Sequence, residues 1–172
     1  MLASADAPVT GPSAWQAPEM ARDKSWIWPM PEAGMKELDA AMRAVKLRGL
    51  APEKTGREHF PLPSIAADLR HLAAAIEDGR GFQVIRGIPV ERYSDAELRL
   101  LYWGLGLYFG TPVVQTKDDD WFIDVRDESK AYDKNTRGYH SRDRLRFHSD
   151  GANIVALLCI NKAKEGGLSS IA

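Results

Sequence analysis

Apolar residues recur at three- and four-residue spacings in three stretches of the chain, and each stretch is followed by residues that stop a helix. Over 35–47, Met35, Leu38, Met42 and Val45 share one face, and Gly49 is placed to end the element. Over 65–78, Ile65, Leu69, Leu72 and Ile76 repeat the pattern, with Ser64 in position to cap its start and Gly79 and Gly81 to end it. A third helix is predicted to open at Ser94-Asp95-Ala96-Glu97, which has capping-box spacing, and to run through Leu98, Leu101, Tyr102 and Leu105 toward Phe109. Gly104, Gly106 and Gly110 weaken its end. The aromatic stripe Tyr102, Trp103, Tyr108 and Phe109 reads as packing against a sheet.

Between and after these helices the period shortens. Residues 82–85 read as a short strand closed by Gly87 and Pro89, and 113–115 and 121–125 as further strands. A long polar loop, 127–144, follows. Two β-suited runs, 145–147 and 154–160, flank Gly151, and 168–172 reads as another strand. Ahead of all this, 1–31 is a tail rich in Ala, Pro and Ser, expected to be partly ordered. Trp15, Trp26 and Trp28 within it predict docking of its later part onto the folded body, residues 32–172, or onto a second subunit.

Composition narrows the partners. With 172 residues and 44% hydrophobic content the chain can bury one core. Its 23 basic and 24 acidic residues leave a net charge of -1, which supplies no basic field for nucleic acid or for an anionic membrane. No segment has the length of a membrane-spanning helix, and the N-terminus lacks the basic start and apolar core of a secretory signal. The single cysteine, Cys159, sits among apolar neighbours and is expected to be buried as a small core residue, which suits a reducing, cytoplasmic setting.

The chemistry concentrates in His148-Ser149-Asp150. Residues two apart on a strand point to one face, so an imidazole nitrogen and a carboxylate oxygen would converge, as two of the three ligands in a facial 2-His-1-carboxylate iron site do. A zinc alternative stays open on the residues alone: His140, His148 and Asp150 could hold Zn(II) with a water in the fourth position, which would give hydrolase chemistry. His59, in a Pro-flanked loop, and His71, on a helix, read as surface or packing residues. The loop before the pair carries Arg137, Arg142 and Arg144, with Arg146 just after it. Guanidinium forks pair with carboxylates, sulfonates and phosphates, so an anionic small-molecule substrate is expected, with Arg137, Arg146 and Gln115 as candidate contacts.

Arg137-Gly138-Tyr139, then Leu145-Arg146-Phe147-His148-Ser149-Asp150, then Val155-Ala156-Leu157-Leu158-Cys159, then Ala163-Lys164-Glu165-Gly166-Gly167-Leu168-Ser169-Ser170-Ile171 resemble, in order and spacing, the taurine dioxygenase-like (TauD/TfdA) family of Fe(II)- and 2-oxoglutarate-dependent oxygenases. Gly110-Thr111-Pro112-Val113-Val114-Gln115 and Asp124-Val125-Arg126-Asp127 resemble segments that enter the family's catalytic core. The likeness runs from about Gly81 to the last residue. It implies an α+β fold with a double-stranded β-helix (jelly roll) core and N-terminal helices. The chain ends inside an expected strand, so the reading is of a core truncated before its later strands.

The resemblance further implies His148 and Asp150 as Fe(II) ligands, and Ser169, two residues after the glycine pair, as a hydroxyl on a carboxylate of the cosubstrate 2-oxoglutarate. The family's distal His and the Arg that clamps the far carboxylate fall downstream of these 172 residues. Dioxygen and a small molecule are the implied partners, with neither nucleic acid nor membrane, and a second copy of the chain is a candidate. A rival expectation is a non-catalytic remnant of the fold that serves in binding or assembly.

Overall fold

A computed structural model describes residues 8, 10–117, 119–126 and 150–162. Two compact units divide the chain, one formed by Met1–Gly110 with Ala156–Ala172 and the other by Thr111–Val155.

The first unit begins with a short helix, α1 (Ala17–Arg22), and a three-residue strand, β1 (Ile27–Pro29). Two longer helices, α2 (Glu32–Leu47) and α3 (Ala66–Glu77), follow, then a second strand, β2 (Val84–Arg86), and the helix α4 (Asp95–Gly106). The strands pair in parallel, with Ile27 opposite Val84, Trp28 opposite Ile85 and Pro29 opposite Arg86. Parallel neighbours need a crossover, and the α2 and α3 stretch supplies it. The described part therefore mixes helix with a small two-stranded sheet.

The apolar faces read from the sequence are the ones buried. Leu38, Ala41, Met42 and Val45 of α2, Leu69 and Leu72 of α3, and Leu100, Leu101 and Leu105 of α4 form one cluster with Phe60, Leu62 and Ile65. Helix α2 starts three residues ahead of its first periodic apolar position, because Glu32 favours a helix N-terminus and pairs with Lys36 one turn on at 2.6 Å. Gly49, at φ +65°, ends it in the left-handed region. Ser64 does not cap α3. The cap position is Ile65, without a side-chain bond, while the Ser64 amide donates to the Glu37 carboxylate at 3.0 Å.

The expected docking of the tryptophans has a specific form. The Trp15 indole donates to the Arg80 carbonyl oxygen at 2.9 Å and meets the Phe82 ring edge-on at 5.2 Å. Trp26 tilts against the same ring at 5.8 Å, and Trp28 packs on the core cluster. Arg80 also reaches Asp23 at 3.4 Å and the Ser25 hydroxyl at 2.7 Å, so residues 15–29 are strapped across the turn that leads into β2.

At the start of α4 the capping box forms as its sequence implies: the Glu97 amide donates to Ser94 Oγ at 3.4 Å, and the Ser94 amide donates to Glu97 Oε2 at 3.0 Å. Lys46, in the last turn of α2, donates to the other Glu97 oxygen at 2.7 Å. Ser94→Ala is expected to cost about 1 kcal/mol of stability in denaturant unfolding. The Lys46 hydrogen bond, helped by the Ser94 amide and hydroxyl, pulls the Glu97 carboxyl down to about 2 from an ordinary 4.5. A folded-state value below the unfolded one stabilises above pH 4.5 and is lost as pH falls toward 2. The melting-temperature difference between wild type and Glu97→Gln should be constant above about pH 5 and shrink through that window; a difference that does not change with pH would contradict the assignment.

The sequence-predicted strands beyond Gly110 are not formed among the described residues. At 113–115, 121–125 and 154–160 the backbone has no strand ladder. The Gln115 amide donates to the Asp120 carbonyl oxygen at 2.7 Å, and Asp119 sits at φ +61°, so the ends of this polar stretch are held together. A strand is stabilised by the partner that takes its amides and carbonyls, and alternation alone provides none. Cys159 corrects the expectation of burial: it is exposed, with its Sγ 3.7 Å from the Asn161 oxygen.

Candidate functional site

The residues that carry the chemistry divide between the described and the undescribed parts of the chain. His148, Ser169, Arg137 and Arg146 lie outside the described residues, as does the zinc rival His140. Asp150 and Gln115 are described, and both belong to the unit Thr111–Val155.

Asp150 is exposed and lies outside any helix or strand, immediately before a bend over 151–153. The strand expected ahead of it, 145–147, lies outside the described residues. Gln115 is exposed as well. Its side-chain amide donates to the Val113 carbonyl oxygen at 2.8 Å, which ties the group to its own segment. Next to it the Thr116 hydroxyl donates to the Asp120 carboxylate at 2.8 Å, and the Asp120 amide donates back to the same hydroxyl at 3.2 Å. These bonds tie Gln115 to Val113 and Thr116 to Asp120.

Among the described residues no three His, Cys, Asp or Glu side chains gather closely enough to hold a metal. The donor chemistry of the sequence pair nonetheless fits a divalent iron ion: a carboxylate on the exposed residue Asp150 and an imidazole two residues before it are both ligand types of that ion. His59 is half-buried, as a packing residue should be, with its Nδ1 accepting from the Gly56 amide at 3.1 Å, and His71 is exposed on α3. No helix among the described residues is long and apolar enough to cross a membrane.

The aromatic stripe of α4 and the turn that follows it splits into two kinds of residue. Trp103 is buried and donates to the Thr55 carbonyl oxygen at 2.9 Å. The Tyr108 hydroxyl donates to the Phe60 carbonyl oxygen at 2.9 Å and accepts from the Leu62 amide at 2.8 Å. Both serve the core. Tyr102 instead sends its hydroxyl to the Ala156 carbonyl oxygen at 2.6 Å, six residues past Asp150. Helical spacing groups it with the packing residues; a polar tip on the flank of the apolar face is the one signal of a different role.

Residues 46–172 match the sequence model of the family described as "Taurine catabolism dioxygenase TauD, TfdA family". The match begins 35 residues before the point from which the likeness is visible by motif, since helical segments such as α3 carry amphipathic pattern without diagnostic chemistry. Among curated relatives, FR-33289 synthase of Streptomyces rubellomurinus is 32% identical over 162 residues, covering 93% of this chain and 48% of the relative. A taurine hydroxylase-like protein, SAT17, of Stachybotrys chartarum is 28% identical over 167 residues, covering 92% of this chain and 43% of the relative. The chain spans about half the length of the curated relatives it matches.

Proposed function

Because the chain belongs to the TauD/TfdA dioxygenase family, we propose that the protein works as an Fe(II)- and 2-oxoglutarate-dependent oxygenase on an unactivated C–H bond of a small anionic substrate, with release of succinate and CO2. The observation that carries the reading is His148-Ser149-Asp150 inside the matched residues 46–172. A jelly-roll core is the fold this membership implies.

Bound iron supplies the activation of dioxygen, coupled to decarboxylation of 2-oxoglutarate. The chain's own residues bind and orient. His148 would hold the ion as a neutral imidazole, the form in which a ring nitrogen has a free lone pair. Asp150 contributes a carboxylate oxygen, and its charge offsets part of the charge of the ion. The Ser169 hydroxyl donates to a cosubstrate carboxylate. Arg137 and Arg146 offer guanidinium forks to the anionic end of the substrate, which places its C–H bond rather than activating it. Gln115 is a further polar contact through whatever valences its bond to Val113 leaves open.

Metal exchange tests this directly. Protein stripped with a chelator is expected to form no succinate from 2-oxoglutarate, to recover on addition of Fe(II) with ascorbate, and not to recover with Zn(II). Hydrolysis of a test ester supported by Zn(II), with no 2-oxoglutarate consumption under Fe(II), would replace the oxygenase with a zinc hydrolase. Absence of iron binding together with absence of turnover would favour a binding role for the fold.

A further inference from the structure

Residues 15–26 are held to the rest of their unit at one place. Helix α1 lies within them and buries none of its residues, and the first chain positions in or against the core cluster come after them, at Trp28 and Met30. Much of their bonding is internal. The Trp26 indole donates to the Asp23 carbonyl oxygen at 2.8 Å and to that of Met20 at 3.2 Å, and the Ser25 amide and hydroxyl donate to the Asp23 carboxylate at 2.7 and 2.8 Å. Among the described residues, the long-range hydrogen bonds, ion pair and ring contacts that leave the segment all go to 80–84. Trp15 reaches the Arg80 carbonyl oxygen, and the Arg80 side chain reaches Asp23 and Ser25. Gln83 donates to the Ser25 carbonyl oxygen at 3.4 Å, the Val84 amide donates to the Trp26 carbonyl oxygen at 2.8 Å, and Trp15 and Trp26 close on the Phe82 ring.

We propose that residues 15–26 form a clip that opens and closes as a unit while the core stays folded, covering or uncovering the Phe82 ring and the Arg80 guanidinium without unfolding of the protein. A helix of 6 residues does not persist in water by itself, so α1 depends on the contacts at 80–84 and is released when they part. Those contacts are modest. The Arg80–Asp23 pair is 3.4 Å apart with the Asp23 side chain 46% exposed, which leaves the two indole rings against Phe82 and the shorter bonds to offset the entropy of ordering the whole segment. Segments with few buried apolar contacts open at lower cost than the core does. Opening stops at β1, because Trp28 packs on the core cluster and Met30 belongs to it, together with residues of α2, α3 and α4. The internal bonds of Trp26 and Ser25 keep the segment together, so it moves as one piece.

Amide hydrogen exchange on the full chain tests this with wild type, Trp15→Ala and Val45→Ala. In wild type the Met20 and Asp23 amides, which donate to the Gln16 and Glu19 carbonyl oxygens at 3.2 and 2.9 Å, are expected to be protected. Their protection should be at least about tenfold below that of amides in the middle of α2 and α4. Trp15→Ala removes the bond to Arg80 and the contact with Phe82, and should lower the protection of Met20 and Asp23 by about a further tenfold while α2 and α4 stay within about twofold of wild type. Val45→Ala, made in the core, should do the reverse, quickening exchange in α2 and α4 and leaving the clip unchanged. Protection of Met20 and Asp23 within about tenfold of that in α2 would overturn the proposal, because the segment would then open only with the whole protein. Exchange of those two amides at the rate of an unstructured chain would overturn it too, since there would be no closed clip. So would a Trp15→Ala or Val45→Ala effect of equal size in α1, α2 and α4.

Discussion

Phe60→Ala is expected to destabilise the protein by about 3–5 kcal/mol, and Gly104→Ala by about 2 kcal/mol, yet the two together should cost less than their sum. Phe60 is fully buried, and Gly104 lies buried on α4 directly against its ring. A methyl group built on Gly104 would run into the Phe60 ring carbons, so the ring or the helix has to move. Alanine in a helix interior normally gains about 1 kcal/mol over glycine. Overpacking a tight core costs about 1–3 kcal/mol, and with the ring held on all sides the cost is expected at the upper end, so the steric effect wins. At Gly106, two residues on, a methyl group would meet nothing within 4 Å, and Gly106→Ala should be neutral or slightly stabilising. In the Phe60→Ala background the sign at Gly104 should reverse, because the added methyl fills part of the cavity. Chemical denaturation of wild type, the two single variants and the double variant reads the whole cycle. Gly104→Ala as stable as wild type would mean that the helix and Phe60 are less closely packed than the structure has them.

That close approach is not legible in the sequence, where Gly104 looks only like a weak point near a helix end. Local signals are read more surely. The Ser94-Asp95-Ala96-Glu97 box marks the start of α4 because both of its bonds close within one turn, and the spacing of Leu38, Met42 and Val45 marks the buried face of α2 because a helix converts spacing into direction. Non-local facts escape. Strand β1 has three residues and ends on Pro29, and it exists only because β2 comes back beside it after two helices. Ser64 has the residue type of a cap, but its amide has a competing acceptor in Glu37, a residue 27 positions away. The apolar neighbours of Cys159 suggest burial; burial also needs something to cover the run, and sequence pattern does not name it. The candidate site shows the same division. A candidate His-Asp pair two residues apart is written in the chain itself, and the bond from Tyr102 to the Ala156 oxygen, 54 residues away, is not.

Asp150→Ala and His148→Ala are each expected to weaken Fe(II) binding by at least about a hundredfold and to lower 2-oxoglutarate-dependent succinate formation at least as much, since removal even of a group that only orients a ligand costs about ten- to a hundredfold. For Asp150 the loss should be one of function and not of folding. The residue is exposed and lies outside the helices and the sheet, and surface substitutions usually change stability by about 0.5 kcal/mol or less. The melting temperature of Asp150→Ala without metal should therefore match that of wild type without metal, while the upward shift that Fe(II) gives wild type should vanish, because a ligand stabilises only the state that binds it. Asp150→Glu separates charge from geometry. It keeps the carboxylate but moves it by about one methylene length, so Fe(II) binding should survive in part while succinate formation falls by about a hundredfold, the penalty for a misplacement near 1 Å. If Asp150→Ala keeps the Fe(II)-dependent shift in melting temperature, the carboxylate is not a ligand. The acidic member of the site must then be sought elsewhere in the matched region 46–172.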